Sequence, residues 1–315
     1  MIYIATTIEN EKVDLKNPYS TEINKSYEAP ADILKVIFAS ERKHLEYKYI
    51  DVYITEGIKF FSGIVDEQKF EVTDKGCFLT IEARSITAYL IDNEASPQTY
   101  KRPSLDIIFK RHIEPYGFKA IYGNNSNFNT TIDVVKGMSE WDVLEQFCSS
   151  CLNVFPIVNA DGTVDATGNV ELEKLYFSNI KNGINYNSIK TSYKRYKLIS
   201  EIIVCSQYEA IYVADIKDQE SINKGIKRKK FINMSTEENN TKKISVDTAE
   251  NMINNSKKKA HEIIITCLGA VNARIGNRCE LNDYILGKIE NLKVYETEYR
   301  LNYNGEFTII TLLEE

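Results

Sequence analysis

The sequence predicts an α+β fold that is mainly β, and three observations support this class. Apolar residues alternate with a period of two over the first ninety-odd residues and again from about residue 173 to the end. Helix-like spacing is concentrated in the middle third. The chain of 315 residues is longer than one core usually supports. We therefore expect a β-rich unit over residues 1–95, a small mixed α/β unit over 96–172 and a second β-rich unit over 173–315.

The first unit consists of strand patterns separated by turn signals. Alternating apolar residues share a face in two segments: Ile50, Val52 and Ile54 in KYIDVYIT, and Cys77, Leu79, Ile81 and Ala83 in CFLTIEAR. Gly57, Gly63 and the Asp74–Gly76 segment are expected to form the hairpin turns between such strands.

The middle unit begins with a helix that Pro103 would open and that Pro115 and Gly117 would end. Its apolar stripe follows helical spacing through Leu105, Ile108, Phe109, His112 and Ile113. A second helix is predicted from Ser139, with Asp142 as its capping-box partner, to about Leu152. The Asp161-Gly162 pair then indicates a hairpin.

The last unit returns to strands and is consistent with a β-barrel crossed by one helix. The helix is predicted around Asp247 to Lys259, opened by an Asp-Thr-Ala-Glu capping pattern. Its inward residues would be Ala249, Met252, Ile253 and Ala260. In the final strand pair one face would carry Tyr295, Thr297, Tyr299 and Leu301, and Asn304-Gly305 predicts a type I′ turn.

The most enzyme-like motif is the Cys148-Ser-Ser-Cys151 spacing. Counted from Leu144, both cysteines fall on the buried stripe of the second helix, so we interpret them as packing. A redox pair belongs at a helix N-terminus, where the dipole favours a thiolate, whereas this pair lies at a helix end. A zinc site would need a second pair of ligands, and the three histidines, His44, His112 and His261, are scattered. A facultative disulfide or metal and a catalytic thiol stay open as lesser alternatives.

No other motif favours catalysis. His112 is interpreted as a satisfied histidine at the core edge, because no nucleophilic serine motif accompanies it. Phosphate loops, dinucleotide loops and calcium loops are missing from the sequence. We expect no enzyme, no catalytic, cofactor-binding or metal-binding residue, no cofactor and no disulfide.

Charge and composition argue against further classes of protein. The net charge of −6 disfavours a dedicated nucleic-acid binder, and the basic run Lys227 to Lys230 is interpreted as a solvated strand end rather than a phosphate site. The chain starts without a signal-peptide pattern and has no apolar window of about 18 residues. We expect cytosolic synthesis, six reduced cysteines and no membrane anchor.

Three segments together resemble a known family. They are FFSGIVDEQKFEVTDKGCFLTIEARSITAYLIDNEAS, then GMSEWDVLEQF with LNVFPIVNADGTV, and then ARIGNRCELND with LGKIENLKVYETEYRLNYNGEFTIITL. In this order they resemble the end of the first barrel, the middle domain and the C-terminal barrel of the phage Mu-type baseplate hub and late control protein D family of contractile tails. The sequence is similar also to the T4-type central hub and to the hub part of VgrG.

The resemblance implies two tube-protein-like β-barrels joined by a small mixed α/β domain. It further implies a structural baseplate hub: a trimeric ring with pseudo-six-fold symmetry that adapts a hexameric tail tube to a trimeric spike. The implied partners are two further copies of the chain, a tail tube or tube-adaptor protein, a separate trimeric spike and other baseplate proteins of wedge or LysM type. DNA or cargo would pass the channel without specific binding, since three chains of −6 carry −18.

The implied location is the baseplate of a virion or tail-like particle assembled in the bacterial cytoplasm. Phage, phage-tail-like bacteriocin and other injection systems all stay open at this point. The alternative function from another class is a β-rich module that binds cell-surface glycans through tyrosines, which would need a shallow aromatic groove. A thiol-disulfide or hydrolytic enzyme is a third and weaker alternative.

Overall fold

The computed structural model describes residues 1–40, 45–55, 57–168, 173–180, 182–206, 212–234 and 241–315. The strands are β1 (Ile2–Thr7), β2 (Lys12–Leu15), β3 (Pro18–Ser26), β4 (Ala29–Ser40), β5 (Tyr47–Tyr53), β6 (Lys59–Thr73), β7 (Gly76–Ser85), β8 (Gln98–Lys101), β9 (Ala120–Gly123), β10 (Thr131–Val134), β11 (Ile157–Val158), β12 (Thr163–Ala166), β13 (Leu175–Ser178), β14 (Ser188–Tyr193), β15 (Glu201–Ser206), β16 (Tyr212–Lys217), β17 (Lys229–Met234), β18 (His261–Leu268), β19 (Arg278–Asp283), β20 (Gly287–Asn302) and β21 (Gly305–Glu314).

The helices are α1 (Ala88–Asp92), α2 (Leu105–Ile108), α3 (Glu140–Phe147), α4 (Gln219–Asn223) and α5 (Thr241–Lys258). Helix α2 continues as a π-helical turn, Phe109–Ile113, and a 3₁₀ turn, Glu114–Tyr116. Helix α3 continues as a π-helical turn, Cys148–Leu152, and a further 3₁₀ turn spans Arg195–Lys197. Of the helices in the described ranges, none has the length and apolar character required to cross a bilayer.

The predicted class, α+β and mainly β, is confirmed. Side chains from β1 to β7 enclose a first core, and strands between β13 and β21 enclose a C-terminal core. A middle core lies between these in sequence and combines α1 to α3 with short strands. The predicted boundary after residue 172 falls in 169–172, outside the described residues, and the exact domain limits stay a prediction.

The two β-rich units share one hydrogen-bonded sheet. Thirteen strands are joined in it, and the connection between the two halves is the antiparallel pairing of β3 with β20. Strand β20 is 16 residues long and its register shifts between Val294 and Glu296. Before the shift Leu292 and Val294 face the C-terminal core, and after it Tyr299 faces the first core. The β-bulge thus lets one strand contribute to both cores, because an inserted residue reverses which face the following side chains occupy.

That bulge modifies the prediction for the final strand pair. Thr297 and Tyr299 are buried as expected, but Tyr295 is the bulged residue and stacks on Tyr27 at a ring distance of 5.8 Å. The final hairpin is present, with Asn302 paired to Gly305 across the turn. The predicted type I′ turn is wrong, because Asn304 does not have the positive φ that it requires, and only Gly305 does, at +118°.

The glycine predictions for the first unit hold at two of three positions. Gly57 lies in a turn and Gly76 closes the β6–β7 hairpin opposite Thr73. Gly63 is not a turn residue: it lies inside β6, paired with Ile50 on one side and Ser85 on the other. A side chain there would collide with the carbonyl of Arg84, so this glycine permits close packing rather than a change of direction.

Three strands assigned to the C-terminal barrel form a sheet of their own. Strand β15 lies between β16 and β17, and α5 packs mainly on this sheet, with a smaller contact to β18 of the large sheet. Ala249 and Ile253 are buried and Met252 packs beside them, as predicted. The predicted start of the helix is wrong, because α5 begins at Thr241 and Asp247 lies within it instead of capping it.

The middle unit follows the sequence closely. The five residues of the first predicted stripe are all buried, and Ser104 caps α2. The capping box of Ser139 with Asp142 is formed at α3. The hairpin at Asp161-Gly162 joins β11 to β12, and β12 also pairs in parallel with β9.

Candidate assembly surface

The most exposed apolar surface of the described chain is the β19–β20 turn. Tyr284 is 84 % exposed, Ile285 87 % and Leu286 42 %, although all three are large hydrophobic residues. Ile180, on the neighbouring loop, is also exposed. We call these four residues the tip patch. Clustered large apolar side chains in solvent are typical of surfaces that bind other proteins.

Asp283 holds the tip patch in one conformation. Its Oδ1 accepts hydrogen bonds from the backbone N–H groups of Ile285 and Leu286, both at 2.8 Å. Its Oδ2 accepts from the Tyr186 hydroxyl at 2.6 Å and from the Asn179 amide at 2.7 Å. Asp283 is 3 % exposed, and these hydrogen bonds, the one from Tyr186 first, lower the pKa of its carboxyl. The tip is therefore preorganised, which reduces the entropy cost of binding.

Replacement of Asp283 by Asn is expected to cost about 2 kcal/mol at neutral pH, because an amide nitrogen cannot accept the two side-chain hydrogen bonds. Since the folded pKa is lowered, the carboxylate contributes stability above its unfolded pKa of about 3.9, and this is lost as pH falls through the folded pKa. Hydrogen exchange of the tip amides measured against pH would detect this. The exposed Glu290→Gln is the control, and protection of the tip amides that falls with pH in Asp283→Asn just as in the unaltered chain would contradict the assignment, because asparagine does not titrate.

A second surface feature is an open cleft of about 470 Å³ where the three large cores meet. We call it the central cleft. Its apolar walls come from the first unit, the middle unit and the segment before β19, and include Pro30, Ile58, Phe155, Pro156, Ile157 and Ile275. Lys25 and Asp32 lie within it, with Nζ and Oδ2 3.8 Å apart, which is too long for a hydrogen bond.

The burial of the charged Lys25 and Asp32 side chains is poorly compensated by hydrogen bonds. The Lys25 ammonium lies 4.2 Å from the Phe60 ring centroid and donates to the Phe60 carbonyl, which is the one hydrogen bond found for it among the described residues. Burial lowers the pKa of Lys25 and raises that of Asp32, the attraction of each for the other acting in the opposite sense. Because the ammonium makes one described hydrogen bond and lies 3.8 Å from the carboxylate, both groups retain capacity to bind a further polar group.

The aromatic residues of the central cleft pack on one another. The ring of Phe155 lies 5.0 Å from that of Tyr27 and 5.9 Å from that of Trp141, which is 4 % exposed. These contacts connect the middle unit to the turn between β3 and β4 and, through Tyr27, to Tyr295. Rings engaged in this way offer no open stacking platform, so the cleft is unlike the shallow aromatic groove expected of a glycan binder.

The Cys148-Ser-Ser-Cys151 motif lies on the middle core. Cys148 is fully buried and Cys151 half-buried, both as free thiols, within the π-helical turn that follows α3. Burial raises the pKa of Cys148 to about 12 and that of Cys151 to about 11. The interpretation as packing therefore has a physical basis, and the absence of a catalytic or metal role stays a prediction.

Native-state alkylation at pH 8 is expected to modify Cys148 and Cys151 at least about 100-fold more slowly than in the unfolded chain, because only the thiolate reacts. Peptide mass spectrometry of iodoacetamide-treated protein would identify each modified cysteine. Rapid native modification of Cys148 would instead favour the catalytic-thiol alternative.

His112 belongs to a buried polar network. It is 2 % exposed; its Nε2 lies 2.7 Å from the Tyr100 hydroxyl and its Nδ1 2.5 Å from the Glu140 carboxyl. The Tyr116 hydroxyl donates to the other Glu140 oxygen at 3.1 Å. The histidine is thus buried and hydrogen-bonded on both nitrogens, as a structural histidine requires.

The other histidines and the basic run named in the sequence analysis do not lie together in one site. His261 lies far along the chain beside Glu314, at 3.0 Å, and His44 is outside the described residues. The run Lys227 to Lys230 is exposed at the start of β17, where Lys229 pairs with Glu201 at 3.0 Å. In the described ranges no three His, Cys, Asp or Glu side chains lie together as a metal site.

Sequence reasoning missed both surface features. For the tip patch a signal existed, since Tyr284-Ile285-Leu286 places three large apolar residues in the short interval between Asp283 and Gly287, where a turn is expected. For the central cleft no local signal existed. Its lining comes from segments as distant as Lys25 and Ile275.

Comparisons with known proteins give the fold but no sequence relative. No protein-family model matches the chain, and no curated protein matches it by sequence. A tail protein from Neisseria meningitidis MC58 has a similar structure, with a TM-score of 0.78 at 17 % identity, covering 99 % of this chain and 96 % of that one. The 43 kDa tail protein of prophage MuSo2 from Shewanella oneidensis gives 0.78 at 16 % identity, covering 99 % and 98 %.

A more distant similarity extends to type VI secretion. The E. coli c3393 protein, described as a component of that system with structural similarity to the T4 tail proteins gp27 and gp5, gives a TM-score of 0.57 at 6 % identity, covering 95 % of this chain and 74 % of that one. The chain therefore has the fold of these tail proteins, and the resemblance found in its sequence is confirmed at the level of the fold.

Proposed function

We propose that this chain is the structural baseplate hub of a contractile tail or a related injection particle, without enzymatic activity of its own. The observation that carries the proposal is the structural match over nearly the full length of two tail proteins, one of them from a prophage. Both are tail proteins by name, and the similarity to c3393 extends the same fold to an injection system. Its place would be the baseplate of the particle.

The architecture is compatible with a ring of three chains. Each chain provides two strand-enclosed cores joined by the β3–β20 pairing, so three copies would present six broadly similar units around one axis. Such a ring would match a hexameric tube on one side and a trimeric spike on the other. The single sheet supports this role mechanically, because the two units of a chain are held by backbone hydrogen bonds rather than by a flexible linker.

The proposed partners follow from this position. They are two further copies of the chain, a tube or tube-adaptor protein, a separate spike and neighbouring baseplate proteins. The net charge of −6 per chain would allow DNA or another acidic cargo to pass a central channel without adhering to it.

Electron microscopy of particles carrying a tagged copy of the chain would test the proposal. We expect density for the tag at the distal end of the tail tube, on its axis, in three copies per particle. Particles from a strain lacking the chain should lack an attached spike. Density at the particle periphery, or normal particles without the chain, would contradict the hub assignment.

A further inference from the structure

We propose that the tip patch of one copy docks in the central cleft of the next copy, with Tyr284 and Ile285 entering the cleft. This inference rests on the proposed ring and specifies its contact. The occupant of the cleft would be a second copy of this chain, and the contact would join two different surfaces of the same molecule.

The tip patch cannot reach the central cleft of its own chain. Strand β19 leads away from the cleft, because Ile275 lines the cleft just before the strand and Tyr284 follows its other end. The five steps from Arg278 to Asp283 span about 17 Å at the usual rise per strand residue. The β19–β20 hairpin is closed by paired residues Asp283 and Gly287, so it cannot fold back.

The chemistry of the two surfaces is complementary. A tyrosine has an apolar ring and one polar hydroxyl, and the cleft has apolar walls with Lys25 and Asp32 inside. The Tyr284 hydroxyl could accept from the Lys25 ammonium and donate to the Asp32 carboxyl, giving the ammonium a second acceptor and the carboxyl a hydrogen-bond donor. A volume of about 470 Å³ accommodates one or two large side chains.

The rigidity of the tip also favours this contact. Asp283 fixes the backbone of Ile285 and Leu286 before any partner binds, so exposed apolar side chains are held outward instead of collapsing onto the surface. A contact between unlike surfaces is heterologous, and heterologous contacts form closed rings when their rotation permits. Three such contacts would close a trimer.

Sedimentation of purified variants tests the contact. Tyr284→Asp on the tip and Ile58→Asp on the cleft wall should each raise the dissociation constant for self-association about 30-fold or more, the loss typical of a central interface residue. Ile58 is 41 % exposed, so its substitution should preserve the fold. The matched control is Tyr303→Asp, because Tyr303 is 91 % exposed in the turn between β20 and β21. This variant should associate like the unaltered chain.

Mixing the two variants provides a test that only a heterologous contact passes. The Tyr284→Asp chain keeps its cleft and the Ile58→Asp chain keeps its tip, so together they should form one-to-one dimers that neither forms alone. Wild-type trimers that persist in both variants would overturn the inference and leave the hub proposal intact. A wild-type chain that stays monomeric at about 100 µM would also overturn it, while the hub proposal would still be judged by the position of the chain in particles.

Discussion

Replacement of His112 by leucine is expected to destabilise the middle unit by about 3–5 kcal/mol. The imidazole is the shared partner of the Tyr100 hydroxyl and the Glu140 carboxyl, and all three groups are nearly buried. Leucine fills comparable space but leaves the carboxyl of Glu140 with one described side-chain partner, Tyr116. A buried carboxyl that loses its partner carries the full cost of its lost hydration.

Trp141 makes this prediction measurable. It is the one tryptophan of the chain, it follows Glu140 directly, and it is 4 % exposed, so its fluorescence reports the unfolding of the middle unit in denaturant. This local probe is needed because a chain with several cores need not unfold in one step.

The double variant His112→Leu/Glu140→Leu is the control. Removing both polar groups together should cost less than His112→Leu alone, because an apolar pair of similar volume needs no hydrogen bonds. If the double variant were destabilised by the sum of the two single-variant losses in free energy of unfolding, the two residues would not be energetically coupled.

Replacement of Gly63 by alanine is expected to destabilise the first unit by about 3 kcal/mol. A methyl group at this position would lie 2.6 Å from the Phe61 ring and closer still to the Arg84 carbonyl, and Phe61 itself is fully buried. Neither neighbour can move without a large energetic cost, because the carbonyl belongs to the paired strand β7 and the ring is packed in the core.

Hydrogen exchange of peptides from β6 and β7, with calorimetry of the whole chain, would measure the effect. Val72→Ala is the matched control in the same strand, since Val72 is 72 % exposed and its loss should cost no more than about 0.5 kcal/mol. Equal stability of the Gly63→Ala and Val72→Ala chains would show that the strands can separate to admit a methyl group.

Much of the secondary structure was predictable because its causes are local. The stripe from Leu105 to Ile113 buries one helical face, and the capping box of Ser139 with Asp142 satisfies two backbone donors within four residues. The burial of Cys148 followed from the same periodicity. In each case neighbours in sequence determine the geometry, so the pattern was sufficient.

The errors in the predictions arose where a short sequence pattern is compatible with two different local structures. Gly63 satisfies the pattern of a turn glycine, yet the same absence of a side chain also permits close strand packing. Asp247 matches a helix cap, but α5 had already begun at Thr241. The Asn304-Gly305 pair correctly marked a hairpin and not its turn type.

The sequence by itself determined the fold class, the order of strands and helices, and which faces are apolar, because side-chain periodicity and backbone propensity act over a few residues. Only the tertiary structure decided how these parts combine. The pairing of β3 with β20, the shift of β20 between two cores at Tyr295 and the meeting of Lys25 with Ile275 in one cleft all join residues more than 200 positions apart or depend on such a contact. Such contacts follow from the packing of whole sheets, for which no short segment carries a signal.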